Sequence, residues 1–160
     1  MAEATQALGE LPTPVRIEPS PLTAPYTPDL DARLRAVWRH RPAVLTFHFG
    51  LPPERIVEQA RRQNIAVGVT ATCLREAQDI ARAGADLVVA QGWEAGGHRG
   101  SFDPSQPDEE LPVLALVRSL LDCLSIPIVA ARGMMDGRDI AAVLAAGANA
   151  AQLGTAFLCC

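Results

Sequence analysis

The chain has 160 residues, 49% hydrophobic and 20% charged, with a formal charge of −4 at pH 7. That composition suits one globular domain with a real core and leaves no basic footprint for a nucleic-acid partner. No apolar run approaches the roughly 20 residues of a bilayer span, and MAEATQALGELPTP lacks a signal-peptide core, so the expectation is a cytoplasmic protein with no membrane partner.

Residues 1–28 hold six of the thirteen prolines (Pro12, Pro14, Pro19, Pro21, Pro25, Pro28) and little periodicity, which predicts a flexible arm ahead of a domain over 29–160. From Asp29 onward, strand and helix signals alternate. DLDARLRAVWRH sets Leu30, Leu34, Val37 and Trp38 on one helical face, with Pro42 as its stop. AVLTFHF reads as a strand closed by Gly50. PPERIVEQARRQN reads as a helix with Pro53 in its first turn, Ile56, Val57 and Ala60 inward, and Asn64 at its end.

IAVGVTA is a second strand. In LREAQDIARAGA the spacing turns Leu74, Ala77, Ile80 and Ala81 inward. DLVVAQ is a third strand, and SFDPSQPDEE a polar connection with two prolines. LPVLALVRSLLDCLS is helical and IPIVAA a fourth strand. MDGRDIAAVLAAGAN opens on Asp136 as N-cap and buries Ile140, Val143 and Leu144, and AAQLGTAFL begins as a fifth strand. Five strands separated by single helices predict parallel βα units, an α/β fold built as a sheet or a barrel. Cys73, Cys123, Cys159 and Cys160 show no C-x-x-C spacing and no His–Cys pairing for zinc, so the expectation is buried free thiols and no metal.

The residues that invite chemistry follow the strands. Ala90–Gly100 reads AQGWEAGGHRG, with four glycines around His98, a density that suits a sharp turn or a close approach. ARGMMDGRD and LGTAF follow the next two strands. Backbone N–H groups in such consecutive turns make an anion cradle, so a cofactor phosphate is a candidate ligand; alternatively Gly133 and Gly154 only permit tight turns. Glu94 is expected to shape its loop, His40 to sit at a helix end and Arg61–Gln63 to be solvated. His48 is either packed or pocket-lining, and Trp93 either lies on a pocket wall or on the surface.

AQGWEAGGHRG, LTFHFGLP and IPIVAARGMMDGRDIAAVLAAGANAAQLGTAFL together resemble the nitronate monooxygenase family, formerly the 2-nitropropane dioxygenases, over roughly Ala43 to Leu158. The resemblance implies a partial TIM (β/α)8 barrel whose five parallel βα units correspond to strands 4–8. It implies FMN as cofactor and a nitronate or nitroalkane, with O2, as small-molecule substrates. By position His98 matches the catalytic base, and Gly96 and Gly97 match glycines that let the backbone pass close to the flavin. Arg132, Gly133, Gln152, Gly154 and Thr155 fall in the two loops that hold the FMN phosphate. Arg132 departs from the family's paired glycines; it is either strained at positive φ or adds a charge-assisted phosphate contact. A whole barrel needs about 250 residues, so a truncated form is expected, with open edges that favour self-association or a complementing N-terminal half. The same loops also resemble FMN-dependent enoyl-acyl-carrier reductases and NADH:quinone reductases, and a non-catalytic flavin-binding remnant is the remaining alternative.

Overall fold

Short runs of small and β-branched residues, punctuated by Pro, Gly and Asn, give five strands, and amphipathic runs between them give the helices. In the computed structural model, which describes residues 29–158, α1 spans Leu30–His40 and is followed by β1 (Val44–Phe47), α2 (Glu54–Arg62) and β2 (Ala66–Ala71). Then come α3 (Leu74–Arg82), β3 (Leu87–Gln91), α4 (Val113–Leu121), β4 (Ile128–Ala131), α5 (Gly137–Ala145), β5 (Ala150–Gln152) and a 3-10 turn over Thr155–Phe157. The Pro-rich segment expected to be an arm, and the pair Cys159–Cys160, lie outside the described residues.

All four strand pairings are parallel and the order is β1-β2-β3-β4-β5. A doubly wound sheet reverses its order at a switch point, whereas a barrel adds each new strand on the same side. The unbroken order is therefore that of a barrel segment, the expected fold class. Val67, Val69, Val88, Ala90, Ile128 and Ala130 from the strands meet Ala60, Ala77, Ile80, Leu116, Leu120 and Val143 from the helices in one core. Full burial of each large aliphatic side chain there contributes about 1.5–3 kcal/mol. After their first residues β2 and β3 are buried on both faces, while β1 and β5, the outer strands, keep exposed positions.

Local chemistry sets the boundaries. Pro53 stands at the N-cap of α2 (φ −53°, ψ 140°) rather than inside its first turn, and Asn64 leaves the helix end at φ +56°. Leu30, at the first position of α1, is 41% exposed although it shares a face with the buried Leu34. Of the three α5 residues expected to be buried only Val143 is: Ile140 is half-buried, and Leu144 is 44% exposed because Val143, about 100° away round the helix, takes the inward position. Cys123, just past the end of α4, is exposed rather than buried, whereas Cys73 is buried and both are free thiols.

Candidate functional site

Register brings the site together before any side chain is considered. Gln91 pairs with Ala131, and Ala131 with Gln152, so the connections after β3, β4 and β5 leave adjacent strands at one level. Between them lies a cleft of about 330 Å³ lined by Gly96, Arg132, Gly133, Gln152, Gly154 and Thr155, together with Glu94, Met134 and Met135. The glycine loop rests on both neighbouring turns: a Cβ at Gly96 would stand 3.2 Å from Thr155 Oγ1, and one at Gly97 would run into the Arg132 guanidinium.

Arg132 and Gly133 both hold left-handed backbone, at φ +81° and +75°. Glycine adopts this freely, whereas arginine is strained by about 1–2 kcal/mol. The N-terminus of α5, which follows the turn after β4, is occupied by its own acids. Asp136 accepts from Arg138 N and Asp139 N, while Asp139 Oδ2 accepts from Met135 N at 2.7 Å and Asp136 N at 3.2 Å. Carboxylates hold the donors there, so an anion in this cleft has to be met by the turns and by Arg132. The 3-10 turn after Gly154 begins with no side-chain cap.

His98 is exposed, and its imidazole is not part of the cleft lining. Its ring faces Phe49 instead, with centroids 6.2 Å apart and planes at 85°. Its carbonyl is held twice, by Gln91 Nε2 at 2.9 Å and by His48 Nε2 at 3.2 Å, so His48 braces the loop. Gln91, 1% exposed, also accepts from Gly100 N through Oε1 at 2.7 Å. Arg99 donates to the Gln91 carbonyl at 2.6 Å and forms a two-point ion pair with Asp108 at 2.6 and 2.8 Å. The Arg99 guanidinium beside Asp108 holds that carboxyl below the usual carboxylate range.

Sequence reasoning passed over Gln91, Arg99 and Glu76 as structural members of this site. Glu76 is 4% exposed and accepts from Thr72 N (2.7 Å), Thr72 Oγ1 (2.8 Å) and Phe102 N (2.7 Å). Its one signal is position: a glutamate at the third residue of α3 reaches back over the helix start. Glu94 does shape its loop, its carboxylate accepting from Val113 N at the head of α4. Trp93 is half exposed. Burial pushes the Cys73 thiol up from its ordinary value. Among the described residues no group of three His, Cys, Asp or Glu could hold a metal ion, and no helix is long and apolar enough to cross a membrane.

These loops and their order have counterparts in known proteins. The family model for nitronate monooxygenase matches residues 3–160. A nitronate monooxygenase of Paraburkholderia phytofirmans is 47% identical over 144 residues, covering 89% of this chain and 39% of its own length. One from Pseudomonas aeruginosa is 48% identical over 147 residues, covering 92% and 41%. Among solved structures, nitroalkane oxidase from Streptomyces ansochromogenes superposes with a TM-score of 0.75 at 47% identity, covering 80% of this chain and 38% of that one. FabK from Thermotoga maritima, as an M276A mutant, gives 0.70 at 32% identity, covering 83% and 41%. The chain thus spans about two fifths of the length of these relatives, and its five parallel units form part of a TIM barrel. With the family model matching nearly end to end and identity close to one residue in two, the chain belongs to the nitronate monooxygenase family of oxidoreductases.

Proposed function

We propose that this chain carries the FMN-holding and proton-abstracting part of a cytoplasmic oxidoreductase that oxidises alkyl nitronates and nitroalkanes with O2. The observation that carries the reading is the shared cleft. Gly96, Arg132, Gly133, Gly154 and Thr155 come from three separate connections and, with Gln152 at the end of β5, meet around about 330 Å³, while Gly97 touches Arg132 from the loop that bears His98. The free thiols of Cys73 and Cys123 suit a reducing compartment.

The residues present fit a phosphate-bearing planar cofactor. The volume lies within the range of small-ligand sites, and Arg132 supplies a cation with hydrogen-bond donors that suit a phosphate. Turns without side chains at Gly96, Gly133 and Gly154 let backbone approach closely, and Thr155 adds a hydroxyl. Bound FMN would supply the redox chemistry and the reaction with oxygen. The protein's own task is proton transfer and placement. An imidazole accepts protons near neutral pH, so His98 is suited to remove the proton from the carbon bearing the nitro group, leaving the nitronate. Gln91 and His48 fix the backbone from which that imidazole projects.

Titrating the chain with FMN and following flavin fluorescence tests the cofactor assignment. Binding should weaken in Gly133→Ala and Thr155→Val, and a chain that takes up no flavin overturns the reading. Turnover tests the base: His98→Asn should slow oxidation of neutral nitroalkanes by about 10²–10⁴-fold and leave pre-formed nitronates nearly unaffected. Equal rates on both substrates remove His98 from that role. A second reading, reduction of enoyl-acyl-carrier thioesters or quinones by NADH, draws on the same EAGGH loop. NADH with a quinone, run beside a nitronate with O2, separates the two.

A further inference from the structure

We infer that Phe49 determines substrate specificity: its phenyl ring forms an apolar wall beside the His98 imidazole, against which the alkyl group of the substrate packs. The inference rests on the nitronate reading above and adds to it the part of the substrate that no residue discussed so far would meet.

Phe49 lies two residues beyond β1 with its backbone at φ +67°. For a bulky side chain this left-handed conformation is an outlier, of the kind that persists where surroundings over-determine it and that gathers at functional sites. The chain has ordinary solutions for the same geometry close by, with asparagine at Asn64 (φ +56°) and glycine at Gly50 (φ +109°). Here the strained position carries a phenyl ring that is 59% exposed. That ring is not loose. It lies 4.2 Å from the His48 ring and 6.2 Å, edge to face, from the His98 ring, while His48 Nε2 ties back to the His98 carbonyl. Strain, exposure and two ring contacts thus hold an apolar surface next to the candidate base.

The chemistry of the substrate says what meets that surface. A nitroalkane is polar at the nitro group and apolar along its chain, and the carbon that loses the proton is the junction. An imidazole that reaches this carbon has the nitro oxygens on one side and the first methylenes on the other. Polar groups suit the former, and the ring beside His98 suits the latter.

The test uses the chain loaded with 5-deaza-FMN, which resists one-electron reduction, in the absence of O2 so that the ligand is not consumed; histidine-labelled His98 resonances give the binding signal in titrations with straight-chain nitronates from ethyl to pentyl. In the wild type the dissociation constant should fall about fourfold per added methylene. In Phe49→Ala that dependence should flatten to roughly twofold or less, and Phe49→Leu should restore most of it. Phe49→Gly, which keeps the left-handed backbone without strain, should flatten it too and guards against a folding defect in the alanine variant. A steep dependence that survives both truncations overturns the proposal, as does a wild type that binds nitronates without regard to length. A chain that binds neither FMN nor any nitronate fails at the earlier step and sinks the proposed function first.

Discussion

The connection that follows β3 and the turn that follows β4 leave neighbouring strands at the same level, and they are held by different means. The first is braced from outside itself: Gln91 and His48 hold the His98 carbonyl, Arg99 ties Asp108 to the end of β3, and Glu76 reaches across from α3 to Phe102 N. The second is held by itself, with Asp136 and Asp139 closing the helix behind two left-handed residues, Arg132 and Gly133. The loop that carries His98 is fixed by hydrogen bonds to its neighbours, and the turn beside the cleft keeps backbone strain where an anion is proposed to sit. The two regions should therefore respond differently to mutation.

The largest response should come from Glu76→Ala. It removes one carboxylate that serves Thr72 N, Thr72 Oγ1 and Phe102 N, leaving amide donors in a largely buried setting. A loss of about 3–5 kcal/mol is expected, below the simple sum of three hydrogen bonds to a charged group at about 1.5–3 kcal/mol each, because contributions that share one carboxylate are not additive. Urea denaturation measures it; a change below about 1 kcal/mol would mean that water takes over the carboxylate's role.

Gln91→Leu should come next, at about 2–3 kcal/mol, because Gly100 N is buried and loses its acceptor while the His98 carbonyl keeps only His48. Amide exchange should quicken from Gly96 to Gly100 and stay unchanged from Gly133 to Asp136. Faster exchange in both segments would dissolve the contrast between them.

How far the sequence discloses this follows from where the partners lie. The five βα units are legible because their signals are local: Pro42, Gly50, Asn64 and Gly84 punctuate them, and the inward positions of α2 repeat at helical spacing as Ile56, Val57 and Ala60. The lining of the cleft is legible for a second reason, since parallel strands in register bring successive loops together. The bracing is not. Glu76 and Phe102 are 26 residues apart, and Arg99 and Thr72 are 27 apart, so the pairs exist only once the chain has folded. Leu144 lies exposed although the helical pattern turns it inward, because such a pattern fixes an angle around the axis and says little about how wide the covering layer is.

A smaller effect is expected from acid. Arg99 depresses the Asp108 carboxyl, so the pair's contribution is complete above the unfolded value of about 3.9 and disappears as pH falls through the lower folded value. Both side chains are mostly buried, at 18% and 25% exposed, and the contribution should be about 1–2 kcal/mol. Cleavage by an acid-stable protease between Asp103 and Glu110 should rise below about pH 4. Asp108→Asn should cleave at its own constant level across that range, whereas a pH dependence retained in the variant would assign it to another carboxylate.

The smallest effect has the opposite sign. Arg132→Gly removes about 1–2 kcal/mol of left-handed strain and returns about 0.5–1 kcal/mol to the flexibility of the unfolded chain. The net gain of about 0.5–1 kcal/mol should raise the melting temperature by about 1–4 °C. FMN affinity should move the other way, because the variant gives up the cation of the cleft, while riboflavin, which has no phosphate, should bind the two chains alike. A variant that melts below the wild type would show that the guanidinium's contact with Gly97 outweighs the strain, making Arg132 a brace like Gln91. A variant that melts higher and holds FMN less well would show that the turn keeps an unfavourable backbone for the sake of its charge.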